Sequence, residues 1–163
     1  MNLLSLRLLV LLLALTTLSA CVPGVGTVVE APEFSVAGEL QVLSFSPPLI
    51  GSGEVTLRLP LRVFNPNPLT LELSRLDFDF LVNERLALSS AFTDGFALAA
   101  QGERDLTLDI RIPLSSGVAL VADIGALVQG APTDYRLNGT VTAEILGAVE
   151  VFARTTLVAG RIN

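Results

Sequence analysis

The residues able to do chemistry are few, and their types close more routes than they open. Histidine and lysine are absent, so all ten basic residues are arginines. Without them a serine or threonine nucleophile lacks its usual activating base, and zinc or copper loses its commonest ligand. Proton transfer falls to carboxylates and to the single tyrosine, Tyr135. Asp77 and Asp79 stand two apart on one strand face, roughly 7 Å from each other by strand rise. That spacing is open to the paired acids of a glycosidase or to part of a calcium site. A solvated strand face explains the pair more simply, and no second motif supports either chemistry. Asn138-Gly139-Thr140 matches a glycosylation sequon by chance composition. The expectation is a non-enzymatic chain with no catalytic residue, no metal site and no cofactor.

Cys21 is the one thiol, which rules out an intrachain disulfide and a thiolate metal cluster. It follows a short leader in which Arg7 supplies a positive start and Leu8 to Leu15 an unbroken apolar run. That run is shorter than the roughly 20 apolar residues a membrane span needs, so residues 1–20 are expected to be a cleavable signal helix. The string Leu18-Ser19-Ala20-Cys21 resembles the lipobox of bacterial lipoproteins. An ordinary secretory signal with an incidental cysteine leaves the two small residues before it unexplained. The resemblance implies cleavage before Cys21, diacylglycerol on its thiol and a further acyl group, such as palmitate, on its amine. Each buried methylene contributes about 0.8 kcal/mol and one chain anchors marginally, so two or three chains hold stably. Cys21 is then the membrane anchor of a protein in the cell envelope, facing away from the cytoplasm. Val22 in place of an aspartate permits the outer membrane in a host that has two.

The formal charge is −6, which disfavours a nucleic-acid partner, since phosphates call for clustered Lys and Arg. Residues 21–37, with Pro23, Gly24, Gly26 and Pro32, read as a flexible tether. The domain is expected over 38–163. Val55, Leu57, Leu59, Leu61 and Val63 alternate with polar residues, as do Leu106, Leu108, Ile110, Ile112 and Leu114; both runs are half-buried strands. Pro60 and Pro113 interrupt the donor rows, which points to sheet edges or bulges. The inward phase flips at Ser74-Arg75, between Leu71, Leu73 and the set Leu76, Phe78, Phe80, Val82, and a β-bulge there restores it. Further strands are expected at about 40–45, within 85–100 around Thr93-Asp94-Gly95, at 135–145 and at 149–158. Phe64, Leu81, Phe152 and Val158 fall on outward positions of this pattern. Ser115-Ser116 before residues 117–129, with Gly130 and Pro132 after, marks one helix. Leu120, Ile124, Leu127 and Val128 line its apolar face. Seven or so strands around one core argue for a mostly β sandwich.

Phe64-Asn65-Pro66-Asn67-Pro68-Leu69 is the most distinctive internal string. Each proline drives the asparagine before it out of the helical region, and neither offers an N–H. The asparagine amides can compensate by bonding nearby backbone. A turn that ends one strand and redirects the chain to the next is the favoured reading of Asn65, Pro66, Asn67 and Pro68, over a binding role. With the alternating strand before it and Leu76-Asp77-Phe78-Asp79-Phe80-Leu81-Val82-Asn83 after it, the string resembles the water-stress-and-hypersensitive-response (WHy) domain of late embryogenesis abundant type 2 proteins. The resemblance covers roughly 38–158. It implies an immunoglobulin/fibronectin III-like antiparallel β-sandwich with one α-helix, no catalytic residues, and protection against desiccation and related stress. The lipobox moves the expected client from cytosol to envelope. Two alternatives stand beside this expectation: a carrier of lipid or another apolar ligand between sandwich and helix, and an accessory subunit of an envelope complex.

Overall fold

A computed structural model describes residues 29–48, 53–115 and 118–162. The leader, Cys21 and the Ser116 helix start lie outside the described residues. The elements run β1 (Glu33–Val36), β2 (Gln41–Ser46), β3 (Glu54–Phe64), β4 (Leu71–Val82), β5 (Arg85–Phe92), β6 (Phe96–Leu98), β7 (Glu103–Pro113), α1 (Val118–Val128), β8 (Thr133–Ile145) and β9 (Ala148–Ile162). All described strand pairs are antiparallel. In the first sheet β3 is central, with β7 along one side and β1 then β2 along the other. In the second, β8 lies between β4 and β9, and β5 and β6 share the far side of β4. The nine strands among the described residues exceed the expected seven or so because β1 forms within the segment read as tether and residues 85–100 hold two strands, β5 and β6.

Period-two patterning builds the core between the sheets. Val55, Leu57, Leu59, Leu61 and Val63 of β3 are wholly buried, and they meet Leu71, Leu73, Leu76, Phe80, Val82 and Leu137 of the facing sheet in one cluster. The bulge expected at Ser74 is present: the β4–β8 register shifts between Leu73 and Arg75. Two tight hairpins link β4 to β5 and β8 to β9. Their tips, Asn83-Glu84 (φ 47° and 63°) and Leu146-Gly147 (φ 51° and 82°), are left-handed at both positions, as the twist-matched two-residue turn requires.

Several expectations need correction. Residues 33–36, assigned to the tether, pair with β3 as β1, and Phe34 packs against the core. Four residues were too few to show a period. Pro60 sits in a central strand rather than at an edge. Its carbonyl accepts from the Ala37 N–H at 2.9 Å, so its ring nitrogen faces the same side, where the neighbouring edge is interrupted between β1 and β2. The missing donor therefore costs no ladder bond, and Gly38 lets the chain pass, since a Cβ there would lie 3.2 Å from the Pro60 ring. Pro113 closes β7. Val158 is not outward but buried, and Phe152 packs against the core. The β8–β9 register shifts twice, between Leu137 and Asn138 and between Gly139 and Val141. Both shifts fall between Phe152 and Val158 and cancel, so these two share the inner face while the apolar Val149 and Val151 are exposed on the other.

Helix α1 caps the end of the sandwich remote from the β3–β4 connection. Leu120, Ile124 and Leu127 are buried in the core cluster. Its C-terminus closes with the Gly130 N–H donating to Leu127 O and the Ala131 N–H to Ala126 O. That pair of bonds with Gly130 at φ 78° is a Schellman termination. No helix among the described residues is long and apolar enough to cross a membrane.

Phe80 is fully buried and stacks on Tyr135 with ring centroids 6.2 Å apart. Phe80→Ala is expected to destabilise the fold by about 3–5 kcal/mol, read as a lower urea midpoint with an unchanged m-value.

Candidate functional site

The chain leaves the first sheet at Phe64 and enters the second at Leu71, so Asn65 to Thr70 form the crossover between the layers. Prolines 66 and 68 keep both asparagines extended and cap the connection from outside, while Asn65 and Asn67 are buried at 0% and 4% exposure. A carboxamide so placed must find partners for two donors and an acceptor.

Asn65 Nδ2 donates to Leu69 O at 2.8 Å, Ala99 O at 2.9 Å and Leu98 O at 3.2 Å. Its Oδ1 accepts from the Asn67 N–H and from Asn67 Nδ2, both at 3.0 Å. Asn67 then reaches back to the start of the domain. Its Nδ2 donates to Glu30 O and its Oδ1 accepts from the Glu30 N–H, each at 2.8 Å. The side chain thus imitates one step of a strand ladder. Main-chain bonds complete the knot: the Asn65 N–H donates to Gly102 O and the Gln101 N–H to Asn67 O. No buried side-chain nitrogen or oxygen among the described residues lacks a partner.

The four motif residues therefore lie together, as their adjacency required. Sequence reasoning anticipated local bonds, which appear as Asn65 to Leu69 and Asn67 to Asn65. It did not find Glu30, Leu98, Ala99 or Gly102, which come from distant segments. The one signal for them was the number of amide groups that burial would strand.

The acid pair is engaged elsewhere. Asp77 is held by Arg75 at 2.6 Å and Asp79 by Arg154 at 2.7 Å, with Ser89 Oγ donating to Asp79 at 2.6 Å. Among the described residues no three His, Cys, Asp or Glu side chains cluster to hold a metal. On the first sheet's outer face, Arg58 forks onto Asp109 and Arg62 onto Asp105. Hydrogen bonds from these arginines, more than their charge, hold the carboxyls of Asp77, Asp105 and Asp109 below the ordinary value. Burial pushes the Tyr135 hydroxyl up, away from service as a base at neutral pH.

A family model for late embryogenesis abundant protein matches residues 60–155. A solution structure of an Arabidopsis thaliana protein is similar at TM-score 0.59 and 21% identity, covering 82% of each chain. A second solution structure, described as a candidate late embryogenesis abundant protein, is similar at TM-score 0.54 and 16% identity, covering 81% of this chain and 70% of that one. At these identities the likeness speaks for the fold. No curated protein matches the chain.

Two outcomes follow from the geometry. Asn65→Ala leaves several buried groups unpaired, each costing about 1–3 kcal/mol, so it should unfold at a markedly lower urea concentration. Asn65→Asp sets an anion against three carbonyl oxygens, which raises the new carboxyl's folded-state pKa above its unfolded value near 3.9. That variant should come nearest to the parent in acid and lose stability as pH rises. The native pairs run the other way. With folded values of Asp77, Asp105 and Asp109 below 3.8, their contribution is present above that pH and fades below it. Carboxyl titration by NMR should place all three midpoints below 3.8.

Proposed function

This chain belongs to the late embryogenesis abundant protein family, and from that premise we propose a membrane-anchored, non-enzymatic lipoprotein that shields envelope components during desiccation or related stress. Its domain is of the WHy type, with an immunoglobulin/fibronectin III-like sandwich, and Cys21 carries the anchoring lipid. The observation that carries this reading is the Asn-Pro-Asn-Pro crossover within the matched span, whose amides are spent inside the fold. The string works as a brace rather than as a binding surface. Both outer faces support the same reading. They carry paired, exposed charges, Arg58–Asp109 and Arg62–Asp105 on one and Arg75–Asp77 and Arg136–Glu84 on the other. Such pairs add little stability but keep a surface hydrated and of mixed sign. A compact hydrated body tethered at a membrane can separate neighbouring components as water is lost, without any chemical step. Weighing against the carrier alternative, Leu120, Ile124 and Leu127 on the inner face of the helix are buried in the core cluster.

The expected outcome has two parts. Palmitate fed to the host should label the exported chain and not its Cys21→Ser variant. Deleting the gene should lower survival after drying, with rescue by the parent chain and not by Cys21→Ser. Unchanged survival of the deletion after drying, heat and osmotic shock would overturn the protective role.

A further inference from the structure

The end of the molecule that receives the N-terminal segment also carries the most exposed large apolar residue among those described, Leu146. Asn67 pins Glu30 to the β3–β4 crossover through two 2.8 Å bonds. The β8–β9 hairpin reaches the same end, because Glu72 at the start of β4 pairs with Glu144 at the end of β8. A shallow hollow there is lined by Pro68, Leu69, Thr70, Leu146 and Gly147 among others. Leu146 is 86% exposed and Val149 68%. Leu146 also holds a left-handed φ of 51°, at a hairpin position where Asn, Asp or Gly is the ordinary choice. The opposite hairpin uses Asn83-Glu84 there. Nothing in the fold's packing accounts for a leucine at this tip.

We propose that this end faces the lipid surface holding Cys21, with the Leu146 tip and Val149 seated in its interfacial layer. The proposal rests on the acylation of Cys21 set out above. Chain length decides between the two ends. From Cys21 to Glu30 the chain spans no more than about 32 Å, at roughly 3.3–3.6 Å per residue. The eleven steps of β4, Leu71 to Val82, separate the crossover from the helix end by about 36 Å, at roughly 3.3 Å each. With the helix end against the membrane, Glu30 would stand beyond the reach of its own anchor. The apolar tip then favours an end-on pose over one lying on a charged face. Glu72 and Glu144 flank the tip, and Glu150 lies near it on β9. Acidic groups are repelled by an anionic surface, so the surface that fits is zwitterionic.

The test uses the full acylated chain in phosphatidylcholine–phosphatidylethanolamine vesicles. Acylation consumes the only thiol, so Leu146→Cys and, on the exposed face of the far helix, Ala122→Cys each accept one environment-sensitive fluorophore. A nitroxide carried on the lipid should quench the label at 146 several-fold more than that at 122, and added phosphatidylglycerol should reduce the difference. Equal quenching at both positions on vesicle-bound protein would overturn the orientation and leave the anchoring intact. Protein that fails to float with the vesicles would overturn the anchoring, and the orientation with it. A label at 146 that escapes the lipid quencher and becomes protected as protein density rises would assign the tip to a second copy, which also overturns the proposal.

Discussion

Two side-chain amides, Asn65 and Asn67, join the places where this fold would otherwise come apart: the crossover between the sheets, the turn that leads into β7, and the point where the N-terminal segment meets the domain. The rest of that end depends on them, because the two prolines of the crossover remove main-chain donors and hold the chain away from either ladder. Inside a low-dielectric interior such a network is strong when complete and costly when one member is missing. Here it is complete. Each asparagine bonds the other, and together they hold residues 30, 69, 98 and 99. With no disulfide possible from one cysteine, this bonding takes the place of a covalent staple at that rim.

Much of the fold could be read from the residues, and the parts that could not share a cause. Alternation in β3 and β7 places Val55 to Val63 and Leu106 to Ile112 inward without ambiguity, and the phase flip at Ser74 locates the bulge. The stop signals at Gly130 and Pro132 end the helix. Phase reading failed in β9 because its exposed face carries the apolar Val149 and Val151, so residue type does not mark the inner face there, and Phe152 and Val158 lie opposite to the face expected of them. It failed again at β1, whose four residues are held by pairing to β3 rather than by a pattern of their own. Pro60 shows the same limit. A proline within a strand signals a missing donor, but which neighbour is absent at that point is fixed by the break between β1 and β2, far away in the chain.

The candidate site was legible in identity and not in partnership. Asn-Pro-Asn-Pro is conspicuous because its residue types restrict the backbone so strongly, yet apart from Leu69 and each other the groups its amides find come from segments more than thirty residues distant. Burial rather than spacing determines them. A clamp on Glu30 gives the described N-terminal segment one point of entry to the domain, at the crossover end. The paired arginines and carboxylates lie along the outer faces of the two sheets, exposed to solvent.

Native-state hydrogen exchange of the Glu30, Asn67 and Gln101 amides tests the brace most directly. If the asparagine knot is part of the cooperative fold, these amides exchange only through global opening, with the same free energy as Leu59 in the centre of β3. Exchange at 30, 67 and 101 through local opening, with Leu59 still protected, would contradict the account.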